Sequence, residues 1–254
     1  RYLTSRIVVT DFYQPADSVT REAVAWIDSD ERPKDAPFLL FLHYMDTHDP
    51  YMDHRHPGVA YRQSRMKKIP DHAVFLEPMR EAYITDITEI EYLDKWLGTL
   101  MDILRARGLY NDSLIVFAAD HGEEFFEHRG WYHAHTLFDE VLHIPLIMKC
   151  PANRSAGTTV SDLVSQLDFA PTILHFAGAD LVPEMSGKSL FDTKGPIAPS
   201  TEYVCSENDY DNSVLQGVRT LDAKVVRANA DNPRRLPPQA LYDLINDPKE
   251  QINR

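Results

Sequence analysis

Apolar and polar positions along the 254-residue chain follow two periods, and each predicts a different element. Unbroken apolar runs of strand length occupy Pro37 to Tyr44, Leu114 to Ala119 and Ile144 to Met148. Such runs read as strands buried on both faces. Recurrence at threes and fours places Val19, Ala23, Trp26 and Ile27 on one side of a helix capped by Asp17 or Ser18 and stopped by Pro33. The longest helix is expected from Glu77 to Arg107, striped by Tyr83, Ile87, Ile90, Leu93, Leu97, Leu100 and Leu104, and ended by Gly108. Its acids Asp86, Glu89, Glu91 and Asp94 read as a solvated face. Asp168 caps a further helix, with Pro171 in the first turn and Gly178 at the end. After Thr201 the pattern shortens to strands at 203–205, 214–219, 223–227 and 241–244.

Strands alternating with helices, then clustered short strands, predict an α/β fold. Its central sheet is expected to be predominantly parallel and flanked by helices, with a small antiparallel subdomain at the C-terminal end. Residues 1–200 form the main domain in this reading and 201–254 the subdomain. The composition, 43% apolar and 26% charged, is that of a globular chain. A formal net charge of −13 argues against nucleic acid or an anionic membrane as a partner. An anionic substrate then needs local positive charge. No run reaches membrane-helix length, Arg1 to Thr4 opens no signal pattern, and Cys150 and Cys205 make no disulfide framework. Cytoplasmic and exported locations both stay open.

The chemistry concentrates where the 114–119 strand ends in Asp120-His121-Gly122. In open α/β sheets the carboxyl edge is where ligands bind. Glu123, Glu124, Glu127, His128, His133, His135 and Asp139 follow, which places four histidines between positions 121 and 135. Imidazole is a common metal ligand and carries protons near neutral pH. The 37–44 run ends in the same way, in Asp46-Thr47-His48-Asp49-Pro50. A parallel neighbour would bring Asp46 and His48 to that edge. Residues 52–76 form a loop rich in Arg, Lys and His, which either lines the pocket or is simply solvated. Ile7 to Val9 reads as a short strand, and Thr10 behind it has no nearby activating partner.

These residues resemble the sulfatase family, within the alkaline-phosphatase-like superfamily. The matching pieces are A-A-D-H-G-E-E at 118–124, H-A-H-T-L-F-D-E at 133–140, I-P-L-I at 144–147 and L-F-L-H-Y-M-D-T-H-D-P-Y at 40–51. L-D-F-A-P-T-I-L-H-F-A-G at 167–178, V-R-T-L-D-A-K-V-V at 218–226 and L-Y-D-L-I-N-D-P-K-E-Q at 241–251 complete them. The resemblance implies metal-dependent hydrolysis of sulfate esters. It gives Asp120 and His121 as half of a metal site, for Ca most readily, with Mn, Mg or Zn open. His48 would contact the sulfate, although Thr47 stands where relatives have proline. His133 lies near the place of a lysine that binds sulfate and protonates the leaving group. His135 is its rival, and Arg129, where relatives often have glycine, either binds an anion or is exposed.

Two features depart from the family. The acid pair that completes the metal site and the formylglycine nucleophile, made within C/S-x-P-x-R, have no match in this sequence, and Cys150 is followed directly by Pro151. The expectation is an N-terminal segment that supplies them, without which the chain is inactive. Two alternatives stand beside the sulfatase reading: a phosphonate or phosphodiester hydrolase of the same superfamily, and a binding domain that kept the fold without catalysis. Substrate, oligomeric state and metal are open.

Overall fold

The computed structural model describes residues 14–54, 60–61, 72–192, 195–196 and 201–254, without the side chains of 60, 61 and 72–86. The Ile7–Val9 strand, Thr10, most of the basic loop and the Tyr83 and Asp86 side chains lie outside the described residues. The chain divides into two compact units, Arg1–Tyr110 and Asn111–Arg254.

In the first unit, helix α1 runs Ala16–Asp28 and buries Ala16, Thr20, Ala23 and Ile27, a spacing of four, three and four that gives one face. Its N-terminus is satisfied from a distance, because the Ala16 N–H donates to Asp46 Oδ1 at 2.9 Å. The expected cap, Asp17, instead pairs with Arg21 one turn on. A short hairpin pairs β1 (Tyr51–Met52) with β2 (Ala60–Tyr61), and helix α2 covers His72–Ala106. Gly108, at φ +69, ends α2, and the Leu109 N–H returns to the Leu104 carbonyl.

Two expectations are corrected here. Residues 37–45 belong to no strand ladder among the described residues. They alternate instead: Phe38 packs edge-on against Trp26 and Tyr44 bonds Thr20, while Leu39 and Phe41 stay 62% and 83% exposed. The stripe on α2 holds at its C-terminal end, where Leu100 and Leu104 are buried, and departs near Ile87. Ile87 and Ile90 are 47% and 50% exposed, while Thr88 and Glu89 are buried. A buried carboxylate is tolerated there because Glu89 accepts hydrogen bonds from the Met52 N–H and His54.

In the second unit, β3 (Ile115–Ala118) pairs with β6 (Leu146–Lys149) in antiparallel register, Ile115 opposite Lys149. A predominantly parallel sheet is therefore not what the described residues form. A parallel return needs a crossover, usually a full helix. The excursion from 119 to 145 holds only the hairpin β4 (Glu124–Phe125) and β5 (Trp131–Tyr132) and the one-turn helix α3 (Asp139–Leu142). Helix α4, Phe169–Ala177, follows Asp168 as expected, although the Asp168 carboxylate serves the Ser165 and Lys188 N–H groups. Gly178 closes it at φ +63.

The antiparallel C-terminal sheet is present, in the order β10-β9-β8-β7: β7 Val204–Tyr210, β8 Ser213–Arg219, β9 Ala223–Ala228 and β10 Gln239–Asp243. Asp211 and Asn212 turn β7 into β8 with φ +46 and +60, as a tight hairpin between right-twisted strands requires. Leu215, Val226, Ala240 and Tyr242 on its inner face pack against Leu137 and Phe138, so the sheet seats the segment behind β5. The fold is mixed α/β. Among the described residues no helix is long and apolar enough to cross a membrane.

Candidate active site

Beyond β3 the backbone is held in three ways. Gln166 donates to the Ala119 and Asp120 carbonyls, the Gly122 N–H donates to the Val141 carbonyl at 2.8 Å, and a Cβ on Gly122 would run into the Glu140 carbonyl. Only glycine fits that approach. The His121 Nδ1 donates to the Gly122 carbonyl at 2.9 Å, which leaves Nε2 as the ring nitrogen able to face a cation. Asp120 Oδ2 lies 3.8 Å from that Nε2 and its side chain is 77% exposed. One carboxylate oxygen and one imidazole lone pair at this spacing suit a shared divalent cation, since each donor stands about 2.0–2.6 Å from such an ion.

His133 joins them. Its ring stacks on His121, with centroids 4.0 Å apart, and its Nδ1 lies 3.3 Å from Glu123 Oε1. The hydrogen bond to Glu123 raises the His133 pKa above 6.5, against a smaller opposing effect of burial. Asp120, His121, Glu123 and His133 thus form one cluster. His135 is placed differently, its ring against Tyr210 at 5.6 Å and its carbonyl bonded by Ser213. Arg129 is exposed, with φ +63. His48, in the first unit, bonds the Asp49 carbonyl through Nδ1 at 2.8 Å.

Several residues of the same stretch are structural. Glu124 is fully buried, accepts from the Gly130 N–H at 2.7 Å and pairs bidentately with Arg234 at 2.9 and 3.1 Å. His128 is clamped between Glu140 at 2.6 Å and the Glu250 carbonyl, stacked on Phe138. Burial favours its neutral ring, but the bond and charge of Glu140 prevail and raise its pKa. Asp139 pairs with Arg219 and Lys224, and Lys224 reaches Glu250 at 2.6 Å, both of these side chains being 1% exposed. Burial alone would raise the Asp139 pKa, yet these cations lower it. Glu250 is pushed up by burial. Cys150 is buried, and burial pushes its thiol up, which suits a structural role.

The segment is also strained: Phe126, Arg129, Tyr132 and Ala134 all have positive φ, between +63 and +78. Non-glycine residues held there cluster at functional sites. Arg234, Lys224 and Glu250 went unnoticed in the sequence because they lie about a hundred positions from the residues they hold. In the first unit, Asp46, His54 and Glu89 bring donor atoms within 4.8 Å of one another, a group able to hold a divalent cation. Glu89 was hidden by its place among helix acids.

By its similarity to known proteins the chain belongs to the alkaline-phosphatase-like superfamily. Within it the chain is a member of the sulfatase family. The sulfatase family model matches residues 5–179, and that of the C-terminal region of N-sulphoglucosamine sulphohydrolase matches residues 127–254. The chain is 29% identical over 183 residues to an N-acetylglucosamine-6-O-sulfatase of Bacteroides thetaiotaomicron, covering 68% of this chain and 32% of that protein. It is 28% identical over 290 aligned positions to arylsulfatase K of Danio rerio, covering 98% of this chain and 54% of that protein. A protein solved in complex with its substrate D-glucosamine-2-N,6-O-disulfate superposes with a TM-score of 0.65 at 26% identity, over 75% of this chain and 40% of that one. The chain spans about a third to a half of the length of these proteins.

Proposed function

We propose that this chain contributes to metal-dependent hydrolysis of a sulfate ester on an amino sugar. The observation that carries the reading is the cluster of Asp120, His121, His133 and Glu123 beyond β3 in a member of the sulfatase family. Asp120 and His121 would hold a divalent cation, calcium foremost, which when bound neutralises charge on the ester oxygens. His133, poised by Glu123, gives its proton to the leaving oxygen. Within the second unit, His135 and Arg129 are the further candidates for contact with the sulfate. The amino-sugar class is taken from the similar protein solved with a disulfated glucosamine and from the similar glucosamine-6-sulfatase. By the family resemblance a nucleophile and two further acids would join these residues, within a whole protein whose main sheet is parallel.

The test assays the chain alone and together with a sulfatase segment bearing an acid pair and C/S-x-P-x-R, on glucosamine 6-sulfate, an aryl sulfate and a phenylphosphonate. The expected result is sulfate release only from the combination, abolished by Asp120→Asn. Turnover by the chain alone, or preference for the phosphonate, rejects the reading. No activity in the combination, with no cation bound at Asp120, leaves a non-catalytic binding domain.

A further inference from the structure

We propose that the first unit holds one divalent cation of the transition series, zinc foremost, between Asp46, His54 and Glu89. This goes beyond the sulfatase reading and shares no donor with Asp120 and His121. The three residues come from separate elements, the turn after the 37–45 segment, the loop behind β1 and helix α2, and their donor atoms all lie within 4.8 Å. Asp46 is 9% exposed and Glu89 1%. Asp46 Oδ1 is occupied by the Ala16 N–H, whereas Oδ2 is buried with no hydrogen-bond partner among the described residues. An orphaned oxygen of a buried carboxylate is costly, and a cation is what would satisfy it.

His54 and Glu89 are arranged for the same purpose. The imidazole stacks on Tyr92 at 3.8 Å and 7°, which fixes its plane, and its Nε2 faces Glu89 Oε2 at 2.5 Å. Glu89 Oε1 is taken by the Met52 N–H, so its second oxygen points at the imidazole. Two carboxylates and one imidazole make an N/O set with few donors. Calcium takes about six to eight oxygens, so the set favours zinc or a neighbouring transition ion. Zinc bonds of about 2.0–2.2 Å in a tetrahedron separate donors by about 3.4 Å. The present spacings, from the 2.5 Å contact to the 4.8 Å limit, bracket that value. The cation would tie the α1 N-terminus, the β1 loop and α2 together.

The experiment strips the purified full chain with chelator and titrates zinc chloride by calorimetry, with bound metal counted after desalting. Asp120→Asn serves as background, so that failure of the sulfatase reading leaves the result intact. One zinc per chain is expected in Asp120→Asn, with a raised melting temperature. Affinity should fall more than about 100-fold in Glu89→Gln and Asp46→Asn, given that even outer-shell partners are worth about 10- to 100-fold. Asp46 also caps α1, so if Asp46→Asn unfolds, Glu89→Gln and the visible spectrum of the cobalt-loaded Asp120→Asn chain decide. An intense tetrahedral band lost in Glu89→Gln supports the site. No zinc bound in Asp120→Asn, or affinity unchanged in Glu89→Gln, overturns it and leaves a hydrogen bond between His54 and Glu89 alone.

Discussion

His133 holds its proton to higher pH than an isolated imidazole, because Glu123 sits against Nδ1 and outweighs the burial of the ring. The raised pKa means that protonated His133 persists above pH 6.5 and is lost as pH rises through the folded value. In the assembled enzyme, His133→Ala is expected to lower kcat/KM by about 10²–10⁴-fold, the usual worth of a positioned proton donor. Glu123→Gln should move the alkaline limb of the pH–rate profile, and the proton titration of the His133 ring by NMR, to lower pH. An unmoved limb would mean that His133 only binds. Its neighbour His128 is the same residue type in the same stretch, yet it is locked between Glu140 and the Glu250 carbonyl. Nothing in the local sequence separates the two histidines, because the role of each is set by partners from other elements.

The segment from β4 to β5 is kept in its strained course by a partner from the loop between β9 and β10. Arg234 donates two bonds to Glu124, which has no exposed surface, and one to the His128 carbonyl. Removing one member of a buried pair leaves the other charge without compensation, at a cost of about 3–5 kcal/mol. Arg234→Met should therefore lower unfolding stability in urea by that amount, and Glu124→Met combined with it should restore most of the loss. A cost near that of an exposed pair such as Arg105–Asp102, about 0–1 kcal/mol, would show that Glu124 finds other partners. The C-terminal strands were legible beforehand, since alternation along each shows directly which face packs. The burial of Glu89 on α2 was not, because the hydrogen bonds that admit it to the interior come from Met52 and His54, thirty-seven and thirty-five positions earlier. The antiparallel pairing of β3 with β6 is not legible for a similar reason. An apolar run announces a strand but leaves its partner and direction unstated.

Across the whole molecule, a net charge of −13 is set against apolar side chains left at the surface. Phe41 and Leu39 in the first unit and Ile147 in the second are 83%, 62% and 64% exposed. Scattered apolar residues are ordinary on a protein surface, but Leu39 and Phe41 stand two positions apart on the exposed side of a segment that pairs with no strand among the described residues. At about 10 mM salt the Debye length is about 30 Å, so like-charged chains repel before these faces meet. At about 1 M it shrinks to about 3 Å, and repulsion no longer opposes apolar contact. Sedimentation velocity should then show a chain that is monomeric at low salt and associates at high salt. Phe41→Glu should suppress that association while leaving the helical circular dichroism unchanged, because the side chain it replaces makes little packing contact. Equal association in the variant would place the adhesive surface elsewhere. A monomer at every salt concentration would mean that Leu39 and Phe41 are too small a face to join two chains.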